Sequence, residues 1–114
     1  MGAMADHFDL ESFEMLQDVM EDEFSELLTV YVNDSDQRLP VILQAFRDGD
    51  TERLRELAHS FKGSSSNISA APLAKLCHQL ENAARDQQLT GLEPVLTGIE
   101  SEYAQVRNLL SSLL

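Results

Sequence analysis

Cysteine is nearly missing from this chain: Cys77 stands alone among 114 residues. A single thiol excludes an internal disulfide and a thiolate metal cluster. Tryptophan is absent, proline occurs 3 times and glycine 5 times. So few chain breakers, together with few β-branched runs, point to an all-helical protein. Basic residues are also scarce, with 8 Lys and Arg against 20 Asp and Glu, for a formal net charge of −12. That balance argues against nucleic acid and anionic membranes as partners, because both need clustered Lys and Arg. It also means that any anionic group handled here must be stabilised by a few local cations. No apolar run approaches the ~18 residues of a membrane-spanning helix, and no secretory leader is visible, so a cytoplasmic location is expected. Met1-Gly2-Ala3 before Met4 reads as an expression scar, which leaves 4–114 as one domain with room for one core.

What is present is helical periodicity. Phe8, Leu10, Phe13, Leu16, Val19 and Met20 predict a short first helix with Asp9 as its N-cap. The acidic patch Asp18, Glu21, Asp22, Glu23 and Glu26 reads as a solvated turn and helix start, where carboxylates suit the positive end of the dipole. A metal site is disfavoured there, because consecutive carboxylates on a helix point in different directions. From Phe24 the apolar positions run through Leu28, Tyr31, Leu39, Ile42, Leu43 and Phe46, a helix of about 25 residues against an average of about 11–12. Ser35 fills a slot in that stripe, and Pro40 is expected to kink the helix or split it near Gln37. Gly49 suits the C′ position, and Asp50 suits the N-cap of the next helix.

That next helix, Leu54 to about Asn67 or Ser69, carries the chemistry. At about 100° per residue, Leu54, Leu57, Ala58, Phe61, Ser65 and Ile68 collect on one buried side. His59 lies roughly 140° from that side and faces outward, with Lys62, Gly63 and Ser66 on its flank. Glycine in a helix interior costs about 1 kcal/mol relative to alanine, so Gly63 needs a reason. Access to the imidazole is one. A helix C-cap is the other, and Ile68, still in register, argues against it.

Pro72 then opens a further helix with Leu73, Leu76, Cys77, Leu80 and Ala84 inward, Cys77 being a small core residue. His78, Glu81 and Arg85 share one of its flanks, ~80–140° from the stripe. After Leu89-Thr90-Gly91 the last helix carries Leu92, Val95, Leu96, Ile99, Tyr103, Val106, Leu109, Leu110 and Leu113. Gly98 there costs some helicity or permits close packing. Helices joined by such short turns become antiparallel neighbours, which predicts an all-α, antiparallel up-down four-helix bundle with a short extra N-terminal helix. Every stripe can be spent on the internal core, so a monomer is expected.

Ala58-His59-Ser60-Phe61-Lys62-Gly63-Ser64-Ser65-Ser66-Asn67-Ile68-Ser69-Ala70 resembles the active-site motif of histidine-containing phosphotransfer (HPt) domains. That pattern is His, any residue, an apolar residue, Lys, Gly, small residues, an apolar residue and commonly Gly-Ala. Here Ser69 replaces the usual glycine, which bears on the following loop more than on His59. The resemblance implies a phosphocarrier of multistep phosphorelays in two-component signalling. Its partners would be response-regulator receiver domains and hybrid sensor kinases, with phosphoryl groups exchanged between His59 and receiver aspartates. It implies that His59 is phosphorylated, that Lys62 steadies the phosphoryl group and that Gly63 keeps the approach clear. Ser66 and Asn67 continue a small polar apron, and Arg55, His78, Glu81 and Arg85 are candidate phosphoryl or receiver contacts. Glu81 takes a position that in some relatives holds Gln near the imidazole; a carboxylate there would orient the ring and also repel phosphate.

The residues themselves agree with that chemistry. Neutral imidazole has a lone pair and needs no base to become a nucleophile. Phosphoryl transfer depends mainly on positioning and charge neutralisation, which a rigid helix and Lys62 supply. No P-loop, Gly-rich nucleotide loop or Mg²⁺-binding carboxylate pair is identifiable, so the chain is expected to be no kinase, to need no cofactor of its own and to meet Mg²⁺ only through the receiver. His78 is the rival phosphoacceptor but lacks Lys-Gly at the following turn, where Glu81 and Asn82 stand; His7 lies near the N-terminus and is expected to be inert. The alternative function is an adaptor that binds a receiver or kinase without carrying phosphate. A metal or hydrolytic enzyme ranks last, since only His78 and Glu81 approach a ligand pair.

Overall fold

The computed structural model describes residues 3–114, so Met1 and Gly2 of the expected scar lie outside the described residues. Six α-helices and one 3₁₀ turn (Glu21–Glu23) make up the fold, and no strand occurs among the described residues. They are α1 Ala3–His7, α2 Leu10–Met20, α3 Phe24–Asp48, α4 Thr51–Asn67, α5 Ala71–Arg85 and α6 Glu93–Ser112. Helices α3 to α6 form the antiparallel four-helix bundle, with α4 and α5 the most intimate pair. The N-terminal extra is two short helices, since α1 precedes the expected α2. No helix among the described residues is long and apolar enough to cross a membrane.

The predicted caps are present. Asp9 accepts a hydrogen bond from the Ser12 amide at the start of α2. Asp50 accepts one from the Arg53 amide at 3.1 Å at the start of α4. Gly49 ends α3 at φ +67°, a left-handed conformation that costs a Cβ-bearing residue about 1–2 kcal/mol. Pro40 does not split α3, which runs unbroken for 25 residues with the proline on its exposed side. At about 1.5 Å per residue that helix is long enough to set the 41 Å long dimension of the molecule.

One core joins all the helices. Phe61 of α4 lies 5.8 Å from the Tyr103 ring of α6 and 6.5 Å from that of Tyr31 in α3. Ser65 is buried because its hydroxyl pairs with Tyr31 Oη at 2.8 Å, so the polar residue in the apolar stripe is satisfied. Tyr103 Oη in turn donates to Asp36 at 2.7 Å, and Arg107 grips the same carboxylate through two nitrogens. Gly98 gives close packing: a Cβ there would lie 3.5 Å from a Leu76 methyl. Two positions assigned to the α2 stripe face solvent instead, Leu10 and Val19, because α2 rests on the bundle only along Phe13, Leu16 and Met20. Leu113 is exposed too, since α6 ends at Ser112.

The α4–α5 junction fixes how the outward face of α4 ends. Ser69 adopts φ +65°, the conformation that the usual glycine of the motif adopts without cost. The loop keeps its form through three backbone bonds. Ser69 N donates to Ser66 O, Ala70 N donates to Ser65 O, and Asp9 N donates to Ser69 O, each at 2.9 Å. Ser69→Gly is therefore expected to stabilise the protein by about 1 kcal/mol in denaturant unfolding.

Candidate functional site

The α4 helix turns His59 outward because its apolar residues are consumed by the core. Leu54, Ala58 and Phe61 are fully buried, and the imidazole is left 65% exposed. One turn on, a Cβ built on Gly63 would meet nothing within 4 Å. The glycine is thus mid-helix, not a cap, and it leaves open space beside the ring.

The second wall is α5. Glu81 was assigned by helical position to an outward flank, but its side chain is only 4% exposed. Its Cβ sits at the edge of the α5 stripe, and the side chain folds toward α4 beneath the imidazole. Its Oε2 lies 2.8 Å from His59 Nδ1. Its Oε1 lies 2.6 Å from Lys62 Nζ, a close ion pair. Arg85 Nη2 donates to Oε2 at 3.3 Å. Burial raises the pKa of this carboxyl, but Lys62 and His59 outweigh burial and hold it below the ordinary carboxylate range.

An ionised carboxylate can only accept, so His59 Nδ1 carries the proton. The lone pair therefore belongs to Nε2. One ring nitrogen is thus pinned as donor, and the other keeps its lone pair.

His78 sits close by and is set up differently. Arg85 Nη1 donates to Asn82 Oδ1 at 2.7 Å, which fixes the Asn82 amide with its NH₂ toward His78 Nε2 at 3.2 Å. That nitrogen is then an acceptor already in use, and His78 Nδ1 lies 3.5 Å from Lys62 Nζ. Asn82 was not among the expected site residues. Its spacing, four after His78 and three before Arg85, was the available signal.

The remaining expected residues are less closely joined to the imidazole. Ser66 and Asn67 are exposed toward the end of α4 and make no hydrogen bond to His59, Lys62 or Glu81. Asn67 instead lines a shallow apolar groove against α2, with Ser12, Met15, Leu16, Val19 and Ser69. Arg55 is half-buried and lines a recess between α4 and α5 with Arg85 and Glu52. His7, expected to be inert, pairs with Glu102 of α6 at 2.6 Å and ties α1 to the bundle, far in sequence from His59. Among the described residues no three potential metal ligands converge.

Comparison with known proteins places this geometry. The Hpt domain family model matches residues 26–109. The fold is similar to histidine-containing phosphotransfer protein B (HptB) from Pseudomonas aeruginosa PAO1, at 42% identity and TM-score 0.89, covering 93% of this chain and 92% of that one. It is also similar to histidine-containing phosphotransfer protein MtHPt2 from Medicago truncatula, at 28% identity and TM-score 0.83, covering 97% and 80% of the two chains. The likeness to ZmHP2 from maize, 24% identical with TM-score 0.81 over 90% and 79% of the chains, is one of fold. No match occurs among curated proteins.

The Glu81 contacts make stability depend on pH. A carboxyl depressed by folding stabilises fully above its ordinary value of 4.5, and the contribution is lost as pH falls through the lower folded value. The stability gap between wild type and Glu81→Gln, measured by denaturant unfolding, is therefore expected to narrow from pH 7 to about pH 3. At neutral pH, ¹⁵N NMR of Glu81→Leu, which has no acceptor, should show the His59 Nδ1–H tautomer losing its dominance.

Proposed function

We propose that this chain, which belongs to the Hpt domain family, carries a phosphoryl group on His59 and exchanges it with receiver-domain aspartates. Membership makes it a phosphotransfer module of two-component signalling; the site assignment rests on the His59–Glu81 hydrogen bond at 2.8 Å. In the forward step, His59 Nε2 attacks the phosphorus of an aspartyl phosphate. The N–P bond forms as the P–O bond to the aspartate breaks, and that carboxylate leaves. No proton has to move: Nδ1 keeps its hydrogen, and the ring becomes cationic.

Glu81 then faces a positive ring, which its nearly buried carboxylate stabilises. The ring charge also keeps the N–P bond weak enough for onward transfer. Both directions are therefore available to the same site. Lys62 is the neighbouring cation for the phosphoryl oxygens. Mg²⁺ is expected to come with the receiver, because the Glu81 oxygens already face His59, Lys62 and Arg85. Hybrid sensor kinases, whose receivers present the same aspartyl phosphate, are the expected donors.

The receiver docks over the exposed face of α4. Beyond Gly63 and Asn67 that face continues onto α2, where Met15 is 62% exposed and Val19 77% exposed. The apolar part of the docking surface thus comes from the N-terminal helix more than from α5. Surrounding carboxylates at Glu11, Glu14 and Asp18 favour a receiver with basic residues around its own apolar contact.

With a phosphorylated receiver and Mg²⁺, wild type and His78→Gln should gain an acid-labile, base-stable label, and His59→Gln should not. Label retained in His59→Gln, or lost in His78→Gln, contradicts the assignment. Gly63→Ala should stabilise the free protein by about 1 kcal/mol, because its Cβ has room and alanine favours helix. The same change should slow transfer about tenfold or more, because the methyl stands where the receiver must approach.

A further inference from the structure

Glu81 is nearly buried and faces four groups at once. Facing it are His59 Nδ1 at 2.8 Å, Lys62 Nζ at 2.6 Å, Arg85 Nη2 at 3.3 Å and His78 Nδ1 at 3.8 Å. Phosphorylation would add close to two negative charges beside this cluster. Lys62 is the one ammonium on that flank of α4, and it already neutralises Oε1. Its contact to Oε1 is 2.6 Å, and turning toward a phosphoryl group on His59 would break it. A buried carboxylate stripped of its cation is strongly unfavourable. When Lys62 turns outward, the cationic His59 ring still faces Oε2, and what is missing is the one positive charge that Lys62 took with it.

We propose that Arg85 supplies that charge: a positioning residue that takes over at Glu81 while Lys62 binds the phosphoryl oxygens. This rests on the phosphocarrier reading of His59. Arg85 is suited to the task by position and by shape. It lies one turn after Glu81 on α5, and Nη1 is held by Asn82 Oδ1 at 2.7 Å. A planar fork can keep that bond while Nη2 closes on Oε2 from its present 3.3 Å. The exchange makes and breaks no covalent bond. The Lys62 Nζ contact to Oε1 is traded for contacts to phosphoryl oxygens, and the proton on His59 Nδ1 stays in place. Arg85 therefore contributes more after phosphorylation than before it.

The test compares wild type, Arg85→Gln and Arg85→Lys, each brought to equilibrium with the same phosphorylated receiver and Mg²⁺. The ratio of phosphorylated to unphosphorylated protein is read, together with thermal unfolding of each unphosphorylated form. Arg85→Gln should lower the ratio about three- to tenfold, with Arg85→Lys recovering only part of it, because an ammonium supplies the charge without the fork. Unphosphorylated melting temperatures should agree to within about 2 °C. A receiver contact by Arg85 would change the rate of transfer but not this equilibrium. An unchanged ratio in Arg85→Gln, with label still dependent on His59, overturns the inference alone. An equal loss of melting temperature in the unphosphorylated variant also overturns it, by making Arg85 merely structural. No label on wild type overturns the phosphocarrier reading and this inference together.

Discussion

A carboxylate lodged between two helices must be compensated, and the functional face of this protein follows from how Glu81 meets that demand. Water cannot do it, because the side chain is almost closed off. The compensating groups come instead from α4, as His59 and Lys62, and from α5 itself, as Arg85. Satisfying the carboxylate aligns the imidazole, selects its tautomer and gathers cations on the surface of a strongly acidic protein. The local positive cluster is thus a consequence of one buried negative charge, and it appears where an incoming phosphoryl group would need it.

The rigidity behind that arrangement comes from the bundle. Phe61 and Ser65 lie on the inner side of the helix that carries His59, and they are locked against Tyr31 and Tyr103 from two other helices. The imidazole therefore rides on a surface that does not have to reorganise. His78 lies close by but is placed differently. It shares the same carboxylate neighbourhood, but its Nε2 already accepts from Asn82.

Much of this was legible in the sequence. Apolar steps of three and four outlined α2 to α6, and Asp9, Gly49 and Asp50 marked ends that the structure confirms. His59 and Gly63 were readable as an outward pair because the stripe of α4 left them no inward option. What was hidden depended on side-chain direction and on distant partners. Glu81 looked like a flank residue because a wheel records where Cβ leaves the helix, not where a flexible side chain ends. Pro40 suggested a break, yet its exposed side of α3 tolerates a missing donor. Ser69 suggested an altered loop, yet three backbone bonds hold its left-handed conformation. The Asp36–Tyr103–Arg107 link spans about two thirds of the chain, beyond the reach of any local pattern.

Through its contact with Nδ1, Glu81 leaves Nε2 of His59 as the atom proposed to bear the phosphoryl group. Correlated ³¹P–¹⁵N NMR on phosphorylated, ¹⁵N-histidine-labelled protein reads this directly. Phosphorus should couple to Nε2 of His59, with a proton retained on Nδ1. Coupling to Nδ1 of His59, or to either ring nitrogen of His78, would contradict it.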